Sequence, residues 1–309
     1  MQRYFCIVAY DGSPPLHGSQ YQGCGQGLCS SSLLTVESVL REAVRKVGKQ
    51  EGTNVVLAGR TDAGVHAIGM GVHIDIPKMS KRSKDGALEP DLLFNALTTA
   101  LRYVAENSQH KIRLISVVRP TPSSFHARVS ASARQYVYVM VLGTTEEERS
   151  MPFHASRAWA IDTDVDTVQL TTAIRQFQGT HDFVLLSGRE HDDICTTRTV
   201  EFVEVLVREG GLAAPRMGTA TVEIRFRARS FLYHQVRCMV GAAVSVSTGQ
   251  LSHQAFEGLL RGTLPVSYEL APAHGLYFES VTYPEEAFRD LPEGVLFRPG
   301  YEQQQGQDE

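Results

Sequence analysis

Several things are scarce in this chain, and each shortage narrows what the protein is. There is one tryptophan, Trp159, and there are five cysteines in 309 residues. Cys6, Cys24, Cys29, Cys195 and Cys238 are odd in number and scattered, which favours reduced thiols in an intracellular protein over a disulfide scaffold. Cys24 and Cys29 have no second pair at finger spacing, and His191-Asp192-Asp193 with Cys195 sits in a polar stretch, so no metal site is expected. No P-loop and no dinucleotide glycine fingerprint opens a helix, so no cofactor is expected either. No apolar run approaches the ~20 residues of a membrane helix. Arg3–Tyr10 reads as a strand, not as a secretory signal or a transit peptide, so the expected location is cytoplasmic or nuclear, with a mitochondrial one as the alternative. Excess positive charge is missing too: 30 Lys+Arg stand against 34 Asp+Glu, a net charge of −4. That argues against coating nucleic acid through bulk charge and leaves room for a local basic groove.

What is present is a well-patterned globular chain. Val72, Ile74 and Ile76 alternate with His73 and Asp75, as successive side chains of a strand do. In 131–142, Ala131, Ala133, Val137, Val139 and Val141 alternate with Arg134, Tyr136, Tyr138 and Met140. Segments 200–207 and 219–229 read as a hairpin through Gly210-Gly211 and Pro215. Helical spacing places Val36, Val39, Leu40, Ala43, Val44 and Val47 on one face, ending at Gly48. Leu93, Leu97, Ala100, Leu101 and Val104 repeat it after Pro90. Asp166 caps a third helix, a fourth runs from about Phe231 to Val246, and a fifth opens at Ser252. Strands that return by short turns, with helices interspersed, predict an α+β fold with a mainly antiparallel sheet and helices packed on it. Lys78–Glu89 is a basic loop, Gly143–Ser150 a polar connector, and the Gln-rich acidic tail Pro299–Glu309 is expected to be disordered.

The most unusual stretch runs from Val55 to His66. An apolar strand enters a Gly-flanked turn holding Arg60, Asp62 and His66, and a second strand follows. A carboxylate beside an arginine stays ionised and oriented, as a nucleophile or general base requires. A purely structural charged turn is the alternative. A second feature is the alternation of Glu223, Arg225, Arg227 and Arg229 with Val222, Ile224, Phe226 and Ala228. Three guanidiniums on one strand face either track phosphates or form a solvated surface.

Gly59-Arg60-Thr61-Asp62-Ala63-Gly64-Val65-His66-Ala67 resembles the signature of the TruA-type tRNA pseudouridine synthases. Other blocks agree in order: Tyr10-Asp11-Gly12, Phe125-His126-Ala127-Arg128, Ala133–Tyr138, Gly179–Phe183, Phe231–Arg237 with Gly241, and His274-Gly275-Leu276. The resemblance covers roughly residues 3–284. It implies two α/β halves sharing a central mixed, mainly antiparallel sheet, with the active site in the cleft between them. The corresponding division is 1–108 for the half with the aspartate loop, 109–284 for the half with the basic strand and long helix, and 285–309 for an extension. The implied activity is isomerisation of uridine to pseudouridine in RNA, without a cofactor. The resemblance makes Asp62 the catalytic carboxylate, Tyr136 the tyrosine that stacks on the base, and Arg237 the basic partner of the aspartate. It assigns Arg60 to nucleotide flipping and Leu276 to packing near the base. His66, Arg128, Arg134, His234 and the row Arg225, Arg227, Arg229 are the further RNA-binding candidates.

Two departures stand out. The family's usual Gly-Trp-Gln segment is replaced by a Gly-, Ser- and Cys-rich stretch holding Gly18-Ser19-Gln20, and a second central arginine is replaced by Gln135, which implies a weaker RNA contact. The expected partner is RNA, tRNA first and rRNA second, with a homodimer or a larger protein assembly open. An RNA-binding scaffold that keeps the fold, for example in ribosome assembly, is the competing function.

Overall fold

The computed structural model describes residues 1–14, 16, 18–19, 34–49, 54–78, 86–106, 111–145, 156–162, 164–188, 195–209 and 219–289. Cys24, Cys29, Gln20, Lys81, Arg82, Lys84, His191–Asp193, the Gly210–Pro215 turn and the C-terminal tail lie outside them.

Among the described residues one ten-stranded sheet runs through the molecule. Its strands are β1 (Gln2–Tyr10), β2 (Val55–Leu57), β3 (His66–Ile76), β4 (Ile112–Val118), β5 (Ala133–Leu142), β6 (Trp159–Ile161), β7 (Gly179–Asp182), β8 (Thr197–Glu209), β9 (Ala220–Ala228) and β10 (Leu276–Thr282). Their order is β4-β1-β3-β10-β5-β9-β8-β7, with β2 also on β3 and β6 also on β5. All pairings are antiparallel except β10 with β3 and β5 with β6, so the expected mixed, mainly antiparallel sheet is present.

The helices follow their sequence signals. Helix α1 (Val36–Gly48) starts at Thr35, whose hydroxyl accepts from the Ser38 N–H while Ser38 Oγ accepts from the Thr35 N–H. Leu40, Ala43 and Val44 of α1 and Leu97 and Leu101 of α2 (Pro90–Glu106) close over Cys6, Val8, Val72, Ile74 and Leu114 of the sheet. Helix α3 (Thr167–Arg175) is capped by the Asp166 carboxylate, and α5 (His253–Leu260) by Ser252. The fourth helix needs a correction: α4 spans Gln235–Ser247, not 231–246. His234 adopts left-handed backbone angles (φ 59°, ψ 1°), and Gln235 Oε1 accepts from the Leu232 N–H at 2.8 Å. Residues 232–235 therefore form a tight turn, closed by the Gln235 N–H donating to the Leu232 carbonyl at 3.2 Å. Strand β7 was legible only as a motif after a helix, because four residues are too few to show alternation.

Two features of this sheet place the site. The register between β3 and β10 covers only His66↔Tyr277 and Ala67↔Phe278, so the strands around β1 and β3 join those around β5 and β9 through a short seam. The 58–65 loop leads into that seam. It is pinned on both flanks of Asp62: Tyr10 and Thr61 hydroxyls lie 2.8 Å apart, the Thr61 N–H donates to Ser19 Oγ at 2.7 Å, and the Gly64 N–H donates to the Gly12 carbonyl at 3.1 Å. Gly64 sits at φ 86°, a backbone region that other residues enter only with strain.

Candidate active site

A cavity of about 620 Å³ opens beside the seam. Its walls come from the 58–62 loop, Arg128, Val129 and Ala131, Arg134 and Tyr136 of β5, Arg229–Arg237 and Leu276. The fold thus brings Arg60, Asp62, Arg128, Arg134, Tyr136, Arg229, His234, Arg237 and Leu276 around one space.

Asp62 stands at its centre, largely but not fully shielded from solvent. Its Oδ2 lies 3.2 Å from His234 Nε2 and 3.4 Å from Arg237 Nη1. Both partners come from the start of α4. Arg237 is itself aimed, since its Nε donates to the Ala271 carbonyl at 2.7 Å. His234 is held by its left-handed backbone and by stacking on Tyr233, with ring centroids 3.7 Å apart. Gly188 packs against the His234 ring so closely that a Cβ there would stand 2.7 Å from Nδ1. One carboxylate oxygen therefore accepts from Arg237 and has the His234 imidazole beside it. The other has no hydrogen-bonding partner among the described residues.

Tyr136 is buried and braced edge-to-face by Phe231 at 5.3 Å and Phe278 at 5.1 Å. Burial, with the Asp62 charge adding to it, pushes its phenol far above the ordinary tyrosine range, so the resting side chain keeps its proton. Leu276 completes an apolar wall beside it.

The arginines divide into two groups. Arg60, Arg128 and Arg229 line the cavity, and burial together with Arg60 and Arg134 pushes the Arg128 guanidinium below its usual range. A positive cluster of this kind is relieved by an anion. Arg134 also lines the cavity, but all its nitrogens are engaged with the chain: Nε and Nη2 donate to the Ala58 carbonyl (3.1 and 2.8 Å), Nη2 to the Arg128 carbonyl (2.6 Å), and Nη1 to the Arg229 carbonyl (2.6 Å). It ties three cavity walls together, and its role is to build the cleft.

Three expected site residues stand elsewhere, which corrects the reading from alternation. The register pairs Tyr136 with Phe226 but Val137 with Arg225 and Gln135 with Arg227. Paired residues share a face, so Arg225 and Arg227 lie on the sheet face opposite Tyr136. Arg225 is buried among Glu204, Glu223 and Glu279, and Arg227 pairs with Glu201. Only Arg229, beyond the end of β9, reaches the cavity. Gln135 is on that far face as well, donating to Glu279 at 2.9 Å, so its replacement of an arginine falls away from the cleft. His66 is buried; its Nδ1 accepts from the Gly12 N–H at 3.0 Å, which leaves Nε2 as the donor to the Ser156 carbonyl at 2.9 Å. It braces the loop and does not line the cavity.

Sequence reasoning did not single out Tyr10, Thr61 and Ser19 as supports of the loop, or Arg134 as a clamp. Ser19 carried a signal, since Gly18-Ser19 replaces a different family segment at this point. The clamp carried none, because its acceptors are backbone carbonyls. Among the described residues no group of three or more potential metal ligands gathers.

A largely shielded, oriented carboxylate facing an aromatic and apolar wall, with guanidiniums at the rim, suits a flat heterocycle carried on a phosphate backbone. Comparison with known proteins agrees. A family model described as tRNA pseudouridine synthase matches residues 173–284. The chain is 30% identical to tRNA pseudouridine synthase-like 1 of Homo sapiens over 86% of this chain and 87% of that one. It is 32% identical to tRNA pseudouridine synthase A of Azorhizobium caulinodans (93% and 96%) and 34% identical to that of Beijerinckia indica (93% and 95%). The chain belongs to the TruA-type tRNA pseudouridine synthase family, whose members isomerise uridine in RNA. No helix among the described residues is long and apolar enough to cross a membrane.

Proposed function

We propose that this protein isomerises uridine to pseudouridine in tRNA, with Asp62 as the catalytic carboxylate. The observation that carries this is the asymmetric holding of Asp62, one oxygen fixed by His234 and Arg237 and the other left to the cavity. The Arg237 hydrogen bond and the adjacent His234 ring aim the carboxylate into the cavity. The reaction breaks the bond between C1′ and N1, joins C1′ to C5, releases the proton of C5 and returns one to N1. It is redox-neutral and needs no co-reactant. The target base is hidden in a stacked helix, so the nucleotide must leave the stack, at a cost of a few kcal/mol. Stacking on Tyr136 and packing on Leu276 offset that cost, while Arg60, Arg128 and Arg229 take the flanking phosphates. Tyr136 enters the resting site protonated, so it accepts the C5 proton only by passing its own on.

The test is Asp62→Asn. We expect no tritium release from C5-labelled uridine in tRNA while tRNA binding stays within about twofold. Unchanged tritium release overturns the assignment. Tight RNA binding with no release from the parent enzyme, on any tRNA, favours the scaffold function.

A further inference from the structure

A second cavity, of about 690 Å³, lies behind the catalytic loop. The wall between the two is one strand thick. Val65 and Leu276 line the active-site cavity, while their neighbours His66 and Tyr277 line the second one, as alternation along a strand requires. Tyr10 lines the second cavity and holds Thr61 of the first through its hydroxyl.

Its chemistry is basic and aromatic. Arg102 of α2, Lys111, Arg113 of β4 and Arg157 converge on it from three chain segments, and all four are exposed. Among the described residues the sole carboxylate in its lining, Asp11, is already matched by Lys111 at 3.6 Å and Arg157 at 3.1 Å. Arg102 and Arg113 have no carboxylate partner among the described residues, unlike Arg3, Arg41, Arg45, Arg225 and Arg261. Among the described residues, cations without a carboxylate partner thus gather in this concave place despite a net charge of −4. The floor is built: the Tyr277 ring stacks on His66 at 4.7 Å, and the Tyr277 hydroxyl donates to the Arg157 carbonyl at 2.6 Å. Phe94 and the exposed Ile68 add apolar surface between the charges.

We propose that this cavity is a second RNA contact, which takes backbone phosphates of the same substrate away from the reacting nucleotide. Unmatched arginines beside aromatic rings are what a nucleic-acid backbone with its sugars and bases requires. A folded RNA whose arms meet at an angle can touch both sides of the wall, whereas a short stem-loop fills only the active-site cavity. The inference rests on the RNA-modifying reading above and extends its footprint.

The test uses the full-length protein with Arg102→Glu and Arg113→Glu combined. Both side chains are exposed, so the fold is expected to persist, and an unchanged thermal midpoint checks this. Binding of an unmodified tRNA transcript is measured across a salt series beside a short stem-loop carrying the target uridine. The double variant is expected to lose at least about tenfold in tRNA affinity, with a salt slope lower by about 2, since each lost phosphate contact removes about 0.9. The kcat on saturating stem-loop should stay within about twofold. Equal tRNA affinity and slope in variant and parent overturn the inference, as does an equal loss on tRNA and stem-loop. If a chromatographically monodisperse parent binds and isomerises neither RNA, it is the RNA reading that fails. A parent that acts on tRNA and a variant that matches it fail this inference alone.

Discussion

At the scale of single residues, the chemistry rests on how Asp62 is held. Arg237 supplies charge and a hydrogen bond, and His234 Nε2 stands 3.2 Å from the same oxygen. A left-handed backbone in a residue other than glycine costs about 1 kcal/mol or more, and persists only where its surroundings over-determine it. Here the Tyr233 stack, the close approach of Gly188 and the Asp62 contact do so. His234→Ala is therefore expected to act on the carboxylate's aim. A polar contact with a charged group is worth about 1–3 kcal/mol, so kcat should fall about 10- to 100-fold while KM for tRNA changes less than about threefold. His234→Gln, which keeps a donor, should recover part of the loss. Single-turnover kinetics distinguish this from a purely structural effect, which would move stability and spare the rate of the folded enzyme.

Among the elements, the loop Phe125–Arg128 shows how distant segments place a cleft residue. Arg3 donates to the Phe125 carbonyl at 2.6 Å, the Ala127 N–H donates to His73 Nδ1 at 2.9 Å, and Tyr283 donates to the Ala127 carbonyl at 2.7 Å. His73 can accept only while neutral. Burial, then the charge of Arg3 and the neighbouring His126, lower its pKa from 6.5 to about 4. The unfolded chain therefore takes up a proton near pH 6.5 that the folded chain refuses until about pH 4. Stability is complete above pH 6.5 and declines as pH falls towards 4, by about 1.4 kcal/mol per pH unit from this group. His66, His126 and His274 are also lowered and contribute with the same sign. His73→Asn, whose side-chain oxygen can accept from Ala127, should flatten the decline in denaturation midpoint between pH 6.5 and 4. An unchanged slope would remove His73 from the explanation.

For the molecule as a whole, the placement of positive charge matters more than its sum. Arg225 is surrounded by Glu204, Glu223 and Glu279, so it serves the sheet. Removing one partner of a buried ionic cluster leaves the others uncompensated, at a cost on the order of 3 kcal/mol. Arg225→Gln should lower the denaturant midpoint and leave the tRNA affinity of the folded protein within about twofold. Arg60→Gln with Arg229→Gln should do the reverse, keeping stability and reducing the salt slope of tRNA binding by about 2. Equal effects of both changes on binding would mean that the sheet's far face also meets RNA.

Much of this was legible along the chain. The cap at Thr35, the apolar spacing of α1 and α2 and the alternation in β5 are local properties, written in neighbouring residues. The aspartate turn stood out because two glycines, an arginine, an aspartate and a histidine crowd into it. Tertiary structure alone decided which face of β9 meets the cleft, since alternation groups residues without saying which group is inside. It alone turned Arg134 from an RNA contact into a clamp, because a guanidinium in a bend meets whatever carbonyls the fold brings there. The start of α4 belonged to it as well: apolar spacing runs through Phe231 and Leu232, yet the contact between His234 and Asp62, 172 residues apart in sequence, requires a turn where a helix was expected. Local pattern determines elements and their faces. Register and long-range hydrogen bonding determine which of those faces becomes a site.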